Sequence, residues 1–261
     1  MACRSPHKGE AVARELRREV TNASLQVESL DLAELDSVRD FAARLTARLE
    51  GLDVLINNAG VMAIDEARSA DGFELTLATN HLGPAALSLG LLDLLGRGDT
   101  PRVTSMSSIV HWAGRVDLED LNFERRAYRP SAAYAQSKLA NLLFALELDR
   151  RLRRVGSPVR SLAAHPGASA TNLGHEGSGL VNALMRHVAP HVLQGVSRGA
   201  APMLRAALDP ELAGGTYVGA RYLLFGPARL ERPARRARDS ALASALFERT
   251  LGLVGATSPG L

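Results

Sequence analysis

At 261 residues, with 46% apolar and 23% charged side chains, the chain has globular composition, not that of a disordered or fibrous protein. Its net charge of +3 is small and its arginines are scattered, which argues against a nucleic-acid surface; the densest group, from Arg229 to Arg238, has no interleaved aromatic residue and reads as a solvated face. The lone cysteine, Cys3, excludes an internal disulfide framework and a zinc-ligand set, and suits a reducing, cytoplasmic compartment.

Helical and strand patterns alternate along the chain. A helix is predicted over 8–20, then a strand at 25–30, a helix at 34–49 and an apolar strand at 53–57. A helix over 72–95 and a strand at 102–106 follow. Past an irregular segment come a helix at 132–154, a strand at 159–164, a helix at 195–208 and a strand at 215–218. Short apolar strands separated by amphipathic helices predict a parallel sheet covered on both faces, a doubly wound α/β domain of Rossmann type. No repeat or low-complexity linker divides the chain, so a single domain over 1–261 is expected. The glycine-rich stretch 174–179 suits a flap over a site. The N-terminus lacks the apolar core of a signal peptide. The most apolar run, from His81 to Leu95, is interrupted by Pro84, Ser88 and Asp93; it is too short to span a bilayer and reads as a buried helix.

Tyr134 and Lys138 lie four residues apart on the predicted helix and share a face. A phenol beside an ammonium is an acid–base device, because the cation favours the phenolate and draws the tyrosine pKa down from its ordinary ~10. The pair alone also reads as a half-buried aromatic beside a solvated lysine. Its company is what distinguishes it. Asp31-Leu32 follow the first complete strand, Asn57-Asn58-Ala59-Gly60 end the next, and Asn80 sits in the helix after that. Ser107-Ser108 end the strand 102–106, and His165-Pro166-Gly167, with Thr171 beyond, end a later one. Ligands of open α/β sheets bind outside the carboxyl ends of the strands, where most of these residues fall.

In this order the motifs resemble the short-chain dehydrogenase/reductase superfamily, over essentially the whole length. The branch containing retinol dehydrogenases and WW-domain oxidoreductase-like proteins is the most similar. It is suggested by Ala2-Cys3-Arg4 with Lys8-Gly9-Glu10, by Thr79-Asn80-His81-Leu82-Gly83, by Ser107-Ser108 followed by His111, and by Tyr134-x-x-Ser137-Lys138-Leu139-Ala140-Asn141. The resemblance implies an NAD(P)-dependent oxidoreductase that interconverts a carbonyl and an alcohol by hydride transfer. Tyr134 would give or take the proton at the substrate oxygen. Lys138 would lower its pKa and hold the nicotinamide ribose, and Ser108 would hydrogen-bond the substrate carbonyl. Asn80 would hold, through its backbone, a water linking Lys138 to solvent; read alone, a mid-helix asparagine faces solvent or bonds locally.

The same carry-over makes Asp31 and Leu32 flank the adenine. Asn58, Ala59 and Gly60 would let the backbone approach the adenosine, and Pro166, Gly167 and Thr171 would touch the nicotinamide carboxamide. Asn-Ala-Gly and Pro-Gly also read as plain turn chemistry. Arg4 stands where an acid would select NAD(H) by its ribose hydroxyl, with His7 and Lys8 nearby and no acid before Glu10. An arginine there accommodates a 2′-phosphate, so NADP(H) is the expected cofactor and NAD(H) the alternative. The competing reading is an exposed arginine at a helix start.

His81, His111 and His165 are too far apart in sequence to form a local ligand pair, so no metal is expected; His111 and Trp112 read as pocket lining. Leu173, Leu180, Val181, Leu184 and Met185 would line a lid over a small to medium apolar carbonyl or alcohol substrate. The resemblance also implies homodimers or tetramers.

One expectation of the fold is not met in the sequence. No glycine-rich phosphate turn opens the chain, and only Met1-Ala2-Cys3 are available as the remnant of a strand before the first predicted helix. Relative to the family pattern, the first strand, glycine-rich turn and first helix are missing, and the domain is expected to be N-terminally incomplete. A true start upstream of Met1 and a genuine truncation are both compatible with this. The latter would make the chain a catalytically silent paralogue acting as a scaffold or binding protein. Without that strand, each unpaired buried backbone group would cost ~1–3 kcal/mol.

Overall fold

The computed structural model describes residues 1–167, 196–222 and 224–256. The chain opens with β1 (Ala2–Cys3), α1 (Pro6–Glu19), β2 (Glu28–Ser29), α2 (Leu35–Arg48) and β3 (Val54–Asn57). Next come α3 (Leu75–Leu77), a π-helical turn (Ala78–Leu82), α4 (Gly83–Gly90), α5 (Leu92–Leu95) and β4 (Arg102–Met106). A 3-10 turn (Ile109–Trp112) leads towards α6 (Pro130–Arg154), β5 (Arg160–Ala164), α7 (Val196–Leu208), β6 (Tyr217–Ala220) and β7 (Ala228–Leu230). A second 3-10 turn (Arg235–Arg238) and α8 (Ser240–Val254) complete the described chain.

β1 pairs with β2 in parallel, and β3, β4, β5, β6 and β7 form a second sheet in that order. The second sheet is parallel through β6, whereas β7 runs antiparallel with Val218 opposite Leu230. Among the described residues no strand pairing joins the two sheets. β3 is therefore an edge, and its Ile56 is 40% exposed, while β6 and nearly all of β4 and β5 are buried.

Strand β5 shows why the sheet needs helices on both faces. Its Ala163 packs with Leu139, Leu143 and Leu246, from α6 and α8. Its neighbours Leu162 and Ala164 point the other way, onto Met203 and Ala206 of α7. α6 is buried along most of its length and begins with Pro130, whose fixed φ suits a first turn. α8 closes over it: Phe247 stacks on Phe144 with ring centroids 5.0 Å apart, under the Arg151 guanidinium 4.1 Å from the Phe247 ring. The doubly wound α/β class expected from the alternating pattern is the fold observed.

Four elements differ from expectation. The single helix expected over 72–95 is broken, because Glu74 caps a fresh start by accepting from the Thr76 and Leu77 N–H groups, and a π turn interrupts it at Asn80. β7 and α8 lie in a segment the sequence pattern left unassigned. The strand read at 215–218 is centred later, over Tyr217–Ala220.

Candidate active site

The carboxyl ends of β3, β4 and β5 bring together the residues singled out from the sequence, and α6 lays its N-terminal half across them. Tyr134 and Lys138 are one turn apart on the buried face of α6, both almost without solvent exposure. Lys138 Nζ lies 5.6 Å from the centre of the Tyr134 ring and donates to the Met106 carbonyl at 3.2 Å. Ser108, just past the end of β4, has its side chain beside that of Tyr134, where its hydroxyl favours the phenolate. Its neighbour Ser107 is buried and donates to the Lys138 carbonyl at 2.9 Å, tying β4 to α6. The two serines thus divide: one supports the backbone, and the other meets the phenol.

Asn80 is fully buried in its π turn, not solvent-facing. Its side chain accepts from the Val61 N–H at 2.8 Å and donates to the Val61 carbonyl at 2.9 Å and to Ser137 Oγ at 2.9 Å. It therefore stitches the loop after β3 to α6. Gly60 lies against both groups: a Cβ there would come within 2.9 Å of Asn80 Oδ1 and 3.4 Å of Lys138 Nζ. The close approach explains why glycine ends that motif.

Electrostatics differ from the sequence expectation in one respect. Burial pushes the Tyr134 phenol up to about 12, with the Ser108 hydroxyl opposing, instead of down towards neutrality. Burial likewise lowers Lys138 to about 8. Desolvation penalises both charged forms and outweighs their mutual attraction. At neutral pH the pair is consequently a protonated phenol beside a lysine that is still mainly cationic, an arrangement able to give a proton to an adjacent oxygen.

The remaining predicted residues follow the carboxyl ends of their own strands: β1 for Arg4, β2 for Asp31, β3 for Asn58 and β5 for Gly167. Arg4, His7 and Lys8 are exposed around the start of α1, whose first turn holds no acid; Glu10 is turned to Arg17 at 3.4 Å. Asp31 caps its own loop, its Oδ1 accepting from the Ala33 N–H at 2.9 Å, and the half-buried Leu32 packs on the core. Asn58 and Ala59 are exposed at the end of β3. Gly167, with φ of 69°, follows Pro166, and a Cβ on it would approach the Leu224 carbonyl to 2.5 Å. Thr171, the stretch 174–179 and the apolar lid residues from Leu173 to Met185 lie outside the described residues.

Three buried groups lie behind the site: His111, which the sequence reads as pocket lining, and His165 and Tyr217, whose part in it the sequence does not show. His165 accepts from the Gly167 N–H through Nδ1 at 3.2 Å and meets Glu231 through Nε2 at 3.0 Å, so the Pro-Gly turn hangs from an imidazole. His111 contacts the Ser108 carbonyl at 2.7 Å. The Tyr217 ring lies 5.5 Å from the His111 ring and 5.4 Å from that of His165. Nothing local in the sequence announces the cluster as a whole, since its members lie in the turn after β4, just past β5, in β6 and just past β7. No cluster able to hold a metal is found among the described residues, nor is any helix there long and apolar enough to cross a membrane.

The family model for short chain dehydrogenases matches residues 1–178. Human retinol dehydrogenase 13 is 38% identical over 265 residues, covering 100% of this chain and 78% of that protein. The crystal structure of an uncharacterized protein from Mycobacterium paratuberculosis has a TM-score of 0.80 and 43% identity, over 98% of this chain and 83% of that one. A short chain dehydrogenase from Escherichia coli CFT073, complexed with NADPH, shares the fold at a TM-score of 0.63 and 21% identity, over 84% of each chain. The chain belongs to the short chain dehydrogenase family, and is an oxidoreductase similar to the retinol dehydrogenases.

Proposed function

We propose that this short chain dehydrogenase is an NADP(H)-preferring enzyme that interconverts an apolar aldehyde or ketone and its alcohol, with Tyr134 exchanging the proton at the substrate oxygen. The convergence of Tyr134, Ser108 and Lys138 at the end of β4 carries the reading. The residues present fit the adenosine and nicotinamide ends of a dinucleotide; no glycine-rich phosphate turn is among them. Gly60 and Gly167 let the backbone pack closely at the carboxyl ends of β3 and β5, and Arg4 and Lys8, with His7 between them in sequence, form a basic rim suited to a 2′-phosphate. When bound, the cofactor supplies the hydride.

The protein's own part is to orient and protonate. Ser108 holds the carbonyl oxygen within reach of the phenol, and Tyr134, which keeps its proton at neutral pH, donates it as negative charge develops on that oxygen. Lys138 stabilises the phenolate left behind and is placed to hold ribose hydroxyls. Asn80 keeps the β3 loop seated on α6, so that the cofactor edge and the acid–base pair stay in register. An apolar substrate is consistent with the leucines of 173–184 and with the named activity of the retinol dehydrogenase relative. The single Cys3 fits a reducing compartment such as the cytoplasm.

The test is reduction of all-trans-retinal and of decanal with NADPH or NADH, alongside direct NADPH binding by fluorescence. Tyr134→Phe should abolish turnover while leaving NADPH binding nearly intact. Surviving turnover would remove Tyr134 from the chemistry, and equal use of NADH would remove the NADP(H) preference.

A further inference from the structure

We propose that His111 is a positioning residue that clamps Ser108 in register with Tyr134 and braces it against the C-terminal segment. The proposal rests on the carbonyl–alcohol reading above, in which Ser108 holds the substrate oxygen. Ser108 lies beyond the last ladder pair of β4, since Ser107 N–H donates to the Ala164 carbonyl at 2.7 Å and the chain then leaves the sheet. Its backbone is extended, with φ of −156° and ψ of 158°, and needs some other anchor.

His111 supplies that anchor twice. Its backbone N–H donates to the Ser108 carbonyl at 3.1 Å, and its ring Nδ1–H donates to the same oxygen at 2.7 Å, so both lone pairs are used. On the far side of the ring, Nε2 lies 3.2 Å from the Ala234 N–H. A carbonyl can only accept and an amide N–H can only donate, so these partners select one neutral tautomer, protonated on Nδ1. The opposite tautomer would lose both bonds, and a cationic ring would turn a proton towards the Ala234 N–H.

The ring is 1% exposed and wedged between Trp112 and Tyr217, at 5.6 and 5.5 Å between centroids. The groups facing it are the Tyr217 hydroxyl, at 3.4 Å from Nδ1, and beyond it His165 and Glu231; burial keeps His111 neutral against the pull of that carboxylate. The brace is reinforced one turn on, where Arg236 donates to the Gly114 carbonyl at 3.0 Å. The segment before α8 therefore holds the loop that carries Ser108.

Three substitutions separate the two bonds: His111→Asn keeps a donor near the Nδ1 position, His111→Gln keeps an acceptor near Nε2, and His111→Phe keeps only ring packing. With all-trans-retinal and NADPH, the Phe and Gln variants should lower kcat by about 10–100-fold, as displacement of a reacting group by ~1 Å does. NADPH affinity should stay within about two-fold, and His111→Asn should recover most of kcat despite a melting temperature no higher than that of the Gln variant. Equal kcat for Asn and Gln, or an unchanged kcat for Phe, overturns the clamp. Independently of variant folding, the side-chain nitrogen spectrum of the parent protein should show His111 protonated on Nδ1 alone; an Nε2–H or doubly protonated ring at neutral pH also overturns it. Tyr134→Phe run in parallel tells the two readings apart. If that variant turns over, or the parent reduces neither retinal nor decanal, the proposed function falls and takes the clamp with it. If Tyr134→Phe is dead while His111→Phe matches the parent, only the clamp falls.

Discussion

Acidification from pH 7.5 to 5 should destabilise this protein well before its carboxylates protonate, and His81 should carry a large share of the loss. The ring is 1% exposed beside the Asn80 turn, with Nδ1 3.3 Å from Asn141 Oδ1, Nε2 2.9 Å from Thr250 Oγ1 and the Phe144 ring 5.8 Å away edge-on. Burial holds its pKa down to about 4, against an ordinary 6.5. The native state therefore prefers the neutral ring, and the unfolded chain takes up the extra proton between those values. Stability from this group is present above pH 6.5 and is lost as the pH falls towards 4. The full difference is worth about 3 kcal/mol, of which roughly 2 kcal/mol is gone at pH 5. Urea unfolding followed by circular dichroism at pH 7.5 and pH 5, for the parent and His81→Phe, measures it. The variant should start about 1–3 kcal/mol lower, because Asn141 and Thr250 lose a partner. Its further loss between the two pH values should be smaller than the parent's by roughly 2 kcal/mol. If both proteins lose the same amount, His81 does not set the window, and His111 and His165, also held low by burial, become the responsible groups.

Two further outcomes follow from the same geometry. With Lys138 lowered to about 8 by burial, its cation disappears as the pH rises through that value, so kcat/KM for carbonyl reduction should fall above about pH 8; Lys138→Met should abolish that limb and leave a low, flat profile. Gly167→Ala should lower stability by at least about 1–2 kcal/mol in chemical denaturation, because φ of 69° disfavours a side chain and the new Cβ would meet the Leu224 carbonyl at 2.5 Å.

Much of the fold was legible because its strands are short, apolar and punctuated. The strand read at 102–106 coincides with β4, and α2, α6 and α7 begin and end within a few residues of expectation. The broken helix between Glu74 and Leu95 was not legible, since the polar residues that interrupt its apolar run do not by themselves mark the breaks, whereas the caps and the buried Asn80 turn do. α8 escaped notice beside an arginine-rich segment, although Asp239 accepts from the Ala241 and Leu242 N–H groups and Gly255 adopts the left-handed C-cap, both recognisable signals. At the candidate site, the identities of Tyr134, Lys138 and Ser108 were readable from spacing and resemblance, whereas the direction of the tyrosine shift was not. Helical spacing places a cation near a phenol, but the depth of burial decides which form is favoured.

The sequence by itself determined the class of fold, the family and the residues that gather at the sheet's carboxyl edge, because periodicity, turn residues and motif order are local properties of the chain. Only the tertiary structure decided how those residues are held. His111 reaches Ala234 across 123 positions, and His81 reaches Thr250 across 169. Such pairs exist only once helices have packed on both faces of the sheet and excluded the water that would otherwise satisfy them.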